Sequence, residues 1–291
     1  MANEELLAVL RQGVATWNAW RAEHHVFWPD LYCAELSRVD LRGADLKKTM
    51  LCKANLQDAD LSGANLFKSN LIGANLRKAN LSGANLSETA LVRANLSYAC
   101  LKEANLSGAT LFHADLNHAQ LDGACLYNAI LIQANLYDAS MAGAIWHEVD
   151  LSEADLHETD LHGSEMPEVY LLFANLHDAD LQQANLSGAH LLFADLSYAH
   201  LSKANLSDAN LTEAHLHGAT LDEANLSGAN LSKADLTHAR LLGANLSGAN
   251  LRCADLRDAD VTGAHLFMVN LEGANITGAK FPAEFSQPNR K

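Results

Sequence analysis

Aromatic residues are scarce: they make up 6% of a 291-residue chain whose apolar fraction is 49%. That is few for a core of packed helices and sheets, and Leu and Ala carry the apolar content instead. Basic residues are also in short supply, 20 against 35 acidic ones, for a net charge of −15. Such an excess of acid favours solubility and opposes direct nucleic-acid binding, while permitting a basic partner. The five cysteines, Cys33, Cys52, Cys100, Cys125 and Cys253, form no C-x-x-C pair. The amino-terminal stretch MANEELLAVLRQGV has no basic run ahead of an apolar segment and no small-residue cleavage site. No stretch approaches the roughly 18 apolar residues that a membrane helix needs. A cytoplasmic location, with no membrane partner, is the simplest reading. Also missing are a nucleophile–base pair, a glycine-rich phosphate loop and a paired-cysteine metal site, so neither an enzyme nor a cofactor is expected.

What is present is a repeat. From Leu31 to Phe281 a large apolar residue recurs at every fifth position, with no insertion or deletion. Of the 49 such sites between 36 and 276, 44 hold Leu, the exceptions being Met141, Trp146, Met166, Val261 and Ile276. Two residues before each site there is usually Ala, giving the pattern Ala, Asn or Asp, Leu, any, any. A period of five fits neither the 3.6 of a helix nor the 2 of a strand. It fits a short extended segment of about three residues followed by a corner. The central residue and the Ala must share the inside, because they alone are consistently apolar. Sixteen of the 17 glycines fall two residues after the centre, and the remaining one is Gly13. A type II turn needs φ > 0 at its third residue, so the corner lies at that phase. Asn and Asp before the centre suit a corner, where their side chains bond nearby backbone.

Four corners per coil give a 20-residue period, and YLLFANL at 170–176 is echoed by HLLFADL at 190–196. Coils stacked in parallel about 4.8 Å apart predict an all-β solenoid of roughly 12 coils. The A-[DN]-L-x-x run, as in ANLSGANLSKADL at 224–236, resembles the pentapeptide-repeat family over residues 31–281. That resemblance implies a right-handed quadrilateral parallel β-helix, which periodicity alone would not fix.

The ends break the pattern, and the expected organisation is a cap over 1–30, the β-helix over 31–281 and a tail over 282–291. A solenoid has open ends that invite pairing with another chain. Asn3 suits an N-cap, with Glu4 and Glu5 in the first turn. Leu6, Leu10, Val14 and Trp17 follow at helical spacing, with Leu7 and Trp20 beside them, predicting one capping α-helix over residues 3–25. At the other end Pro282 stops the repeat and Phe285 is placed to fold over the last coil. The gyrase-binding members of the family dimerise through a C-terminal helix, for which no pattern follows residue 281. The last coil is then either lightly plugged or meets another molecule.

Residue number modulo 20 assigns each pentad to a face. Acid concentrates on the faces centred on Leu36 and Leu41, whereas the face centred on Leu51 balances its charges over residues 51–273. This neutral face stacks Ile72, Val92, Phe112, Ile132, Leu172 and Leu192 just after the centre, fading at Thr212 and Ser232. Ile130, Tyr170, Phe173 and Phe193 flank them. An exposed stripe of this size marks a contact surface for a protein partner or a homodimer, although β-branched and aromatic residues also favour stacked strands for their own sake. Around 140–170 the pattern loosens at Trp146, Met166 and Pro167, predicting an irregular coil: a local bulge where Trp strains a bore sized for Leu, or a recognition element. His157, His177 and His217 share an outward column on the acidic face without a closed ligand set for a metal. The leading reading is a non-enzymatic protein-interaction scaffold of unknown pathway. The alternative, suggested by the resemblance, is an acidic DNA mimic that binds a DNA-processing enzyme such as gyrase.

Overall fold

The computed structural model describes residues 3–24, 28–283 and 285, in two compact units that meet in the sequence between Leu156 and His157. In the first unit, parallel bridges join residues 20 apart, from Asp30 with Met50 to Asn135 with Asp155. In the second they run from Asp160 with Asp180 to Asp260 with Lys280. Twenty residues therefore make one coil, and four five-residue cycles make its four sides.

Each side holds one bridging residue, the one before the centre and most often Asn or Asp, rather than the three-residue strand expected. The corner consumes the rest. The central carbonyl accepts from the amide three residues on, as in Ala54 to Leu51 at 3.0 Å. Among the described residues after Gly13, positive φ occurs only at the second position after each centre, from 49° at Asp138 to 77° at Gly278. Left-handed backbone at the third turn residue alone identifies type II.

The backbone amides of one pentad show why the cycle is stable. Leu56 and Asp58 donate to the next coil at Asn75 and Arg77, and Asn55 donates back to Ala34. Ala59 closes the turn on Leu56. The fifth amide, on Gln57, donates to the Asn55 side chain at 3.3 Å. All five donors of this pentad are used, so its backbone is satisfied with very little regular strand.

The inside is Leu against Ala. In the first unit the central side chains from Leu31 to Leu156 are fully buried, and so are those of the second unit from Leu161 to Val261. From Leu266 to Phe281 the equivalent side chains are partly exposed, and Phe285 stacks on Phe281 with ring centroids 4.5 Å apart. Trp146 is fully buried in the first unit, and the register passes through it without the expected bulge. The bore accepts the indole at the centre, leaving its Nε1 without a hydrogen-bond partner. In the second unit Met166 is buried and Pro167 half-buried, again in phase.

The leader forms two helices rather than one: α1 (Glu4–Arg11) and α2 (Val14–Glu23). The break is Gly13, whose φ of 110° lies where side-chain-bearing residues rarely go. Asn3 caps α1, its Oδ1 accepting from Glu5 and Leu6 at 3.0 and 3.3 Å. Residue 25, the expected helix end, lies outside the described residues. The buried set also differs from the expected Leu6, Leu10, Val14 and Trp17: it is Leu7, Leu10, Trp17 and Arg21, with Leu6, Val14 and Trp20 half-buried. Trp17 Nε1 donates to the Asp45 carbonyl and Arg21 to the Lys47 carbonyl, both at 2.8 Å. Asn18 bonds the Asp45 amide and the Gly43 carbonyl.

Candidate interaction surface

In the first unit the ladder brings Ile72, Val92, Phe112 and Ile132 into one outward column. The carbonyls of Val92, Phe112 and Ile132 each accept from the corner amide of the preceding coil, at 2.9–3.1 Å. Ile72 is exposed, and Val92, Phe112 and Ile132 are half-buried. Ile130, exposed, bridges Thr110 and Asp150 beside them.

In the second unit Tyr170 stacks on His190 at 4.7 Å and Phe173 on Phe193 at 4.9 Å, each pair nearly parallel. Leu172 and Leu192 lie between the two stacks, half-buried. Phe173, at 54% exposure, is the most open of the group. Its φ of 57° lies in the left-handed range shared by the corners. Each unit thus gathers its own share of the predicted stripe.

The acidic faces are organised by local pairing. Arg42 bonds Asp40 through Nε and a terminal nitrogen, at 2.9 and 2.6 Å. That side-chain bond holds the Asp40 carboxyl down at about 2. Arg257 holds Asp255 down in the same way. Away from those two faces, other pairs span coils, such as Lys68 with Glu88 at 3.1 Å and, on the neutral face, Lys233 with Glu213 at 2.8 Å.

Sequence reasoning missed the aromatic members of the histidine column. Tyr98, His118 and Tyr137 follow one another in the first unit, with ring centroids 4.6 and 5.3 Å apart. His177, Tyr198, His217 and His238 do so in the second, at 5.3–5.4 Å. Their spacings of 19 to 21 residues were visible in the sequence, had Tyr been scored alongside His. Exposed Tyr127, Ile145, Phe267 and Met268 were also unanticipated. Among the described residues no group of three or more His, Cys, Asp or Glu is placed to hold a metal ion, and no helix is long and apolar enough to cross a membrane.

The model of the family described as pentapeptide repeats matches in eight copies, over residues 30–71, 59–97, 69–108, 89–128, 129–166, 174–212, 189–228 and 229–266. No curated protein matches the chain. Among solved structures it is 36% identical to HetL, a pentapeptide repeat protein involved in heterocyst differentiation regulation from the cyanobacterium Nostoc sp. strain PCC 7120. That match covers 73% of this chain and 91% of HetL, with a TM-score of 0.28. It is 30% identical to the pentapeptide repeat protein Rfr23 from the cyanobacterium Cyanothece 51142, over 43% of this chain and 60% of that one, with a TM-score of 0.10. To full-length QnrB1, a plasmid-mediated fluoroquinolone resistance protein, it is 20% identical over 63% of this chain and 86% of that one, with a TM-score of 0.32. The repeat matches span most of the chain and agree with its five-residue cycle and with the identity to HetL: the chain belongs to the pentapeptide repeat family, whose members coil as right-handed quadrilateral β-helices.

Proposed function

We propose that the chain is a non-enzymatic scaffold that engages a protein partner, or a second copy of itself, through its apolar face. The observation that carries this reading is the exposed ring of Phe173 stacked on Phe193. Strand preference accounts for Val92 and Ile132 in a stacked column. It does not account for phenylalanine at left-handed corners, where a bulky residue is least at home. Large apolar groups held at such positions suit a contact surface better than a packing need. In the same reading the repeat counts roughly 12 coils over 31–281, and α1 and α2 cover the open edge of the first. The bonds from Trp17, Asn18 and Arg21, and from the Asn3 amide to the Asp30 carbonyl, support that covering role.

The test is a pair of substitutions, Leu172→Asp and Phe193→Asp. Both sites face outward, so circular dichroism and melting should match the parent. Sedimentation velocity should show loss of a self-associated or partner-bound species. Unchanged mass and binding in both variants would sink the proposal. The acid on the Leu36 and Leu41 faces keeps one alternative in view, mimicry of DNA toward a DNA-processing enzyme. If added protein alters neither supercoiling by gyrase nor its inhibition by quinolones, that alternative falls.

A further inference from the structure

Two cysteines lie on neighbouring coils, 19 residues apart. Cys33 occupies a corner, at φ 57°, and is exposed; Cys52 precedes a corner one coil on and is half-buried. The Cys33 amide donates to the Cys52 carbonyl at 2.9 Å. The same relation, a corner residue and the one 19 positions later, sets His118 against Tyr137 and Tyr198 against His217, each with ring centroids 5.3 Å apart. In both pairs the side chains emerge on the same side and meet. Neighbouring strands lie about 5 Å apart, and Cys52 adjoins Lys53, the residue 20 positions on from Cys33, so the two Cα atoms fall close to the roughly 4.4–6.8 Å that a disulfide spans. Burial pushes the Cys52 thiol up, and neighbouring Asp30 and Cys33 push the same way. Cys100, Cys125 and Cys253 have no cysteine in this relation.

We propose that Cys33 and Cys52 are a redox-active pair that closes into a reversible disulfide, clipping the first coil to the second. The oxidant is a low-molecular-weight disulfide, with oxidised glutathione as the probe. The Cys33 thiolate attacks one glutathione sulfur, forming a mixed disulfide and releasing one glutathione thiolate. Cys52 then loses its proton to solvent, and its thiolate attacks the Cys33 sulfur, expelling the second glutathione thiolate. Two protein thiols thus lose two electrons and two protons, and one glutathione disulfide becomes two thiols. Exposure sets this order: Cys33 is within reach of the oxidant, and half-buried Cys52 ionises less readily. The clip sits beside the leader's attachment, since the Asn3 amide bonds the carbonyl of Asp30, three residues before Cys33.

The test uses the full chain, equilibrated with graded mixtures of reduced and oxidised glutathione. Remaining thiols are then alkylated, and tryptic peptides are weighed without reduction. Arg38, Arg42, Lys47 and Lys48 lie between the two cysteines, so the disulfide appears as a linked peptide pair. Cys33 and Cys52 should lose alkylation together, at ratios where the other three cysteines still react. Cys52→Ser should instead keep glutathione on Cys33. Separate adducts on Cys33 and Cys52 without a linked pair, or links to other cysteines, would overturn the proposal. So would oxidation of the other three first.

Discussion

At the corner of every pentad the backbone enters the left-handed region, and from Cys33 to Gly278 only sixteen of those corners are glycine. The rest hold Lys, Glu, Asp and even Tyr or Phe in a conformation that costs a side-chain-bearing residue about 1 kcal/mol. Lys78 is such a corner, with φ 58° and an exposed side chain. Denaturant unfolding should find Lys78→Gly more stable than Lys78→Ala by about 1 kcal/mol, the reverse of their order in a helix or strand. The glycines made the corner legible because they crowd one phase of five. That non-glycine residues adopt the same φ was not legible, since the fold imposes it through hydrogen bonds to neighbouring coils. A second residue-scale effect concerns acid. Asp40, bonded by Arg42, titrates at about 2 instead of its ordinary 3.8, and Asp255 is likewise depressed by Arg257. The folded state therefore binds these protons less readily than the unfolded one. Their stabilisation is present above the ordinary carboxylate value and is lost as pH falls through the depressed one. The melting temperature should fall between pH about 4 and 2, and less steeply in Arg42→Gln.

Among the elements, the pentad owes its stability to the residue before the centre as much as to Leu. Asn225 serves three partners: its Oδ1 accepts from the Ser227 amide at 3.2 Å and from Asn245 at 3.1 Å, and its Nδ2 donates to Asn205 at 3.0 Å. This amide ladder continues from Asn205 to Asn185 within the second unit. Asn225→Ala removes two rungs and the partner of a corner amide, and should cost about 1–3 kcal/mol in urea unfolding. Asn225→Asp keeps the corner bond and should recover part of that loss. The corner role of Asn was legible from its phase, but the ladder was not, because it depends on Asn recurring at the same site one coil on. The leader was misread for a local reason. Its apolar spacing suggested one helix, whereas Gly13 divides it and rotates Leu7 and Arg21 inward. Nothing in the sequence marked Arg21 as buried; it is held by the Lys47 carbonyl, a group the spacing could not locate.

For the whole molecule, monotony of sequence is what made inside and outside readable, and it is also what hides function. A net charge of −15 favours solubility and opposes crowding with copies of itself, except where charge is balanced. The apolar side chains that remain exposed at Ile72 and Ile130 in one unit, and at Tyr170 and Phe173 in the other, stand out against that background. The most direct measurement is quantitative affinity capture from the source cells with three baits: the native chain, Phe173→Asp/Phe193→Asp, and Asp178→Asn on an acidic face. The account predicts a stoichiometric partner, or the chain itself, that is retained by the native and Asp178→Asn baits and lost with the phenylalanine variant. Equal retention by all three baits would contradict it.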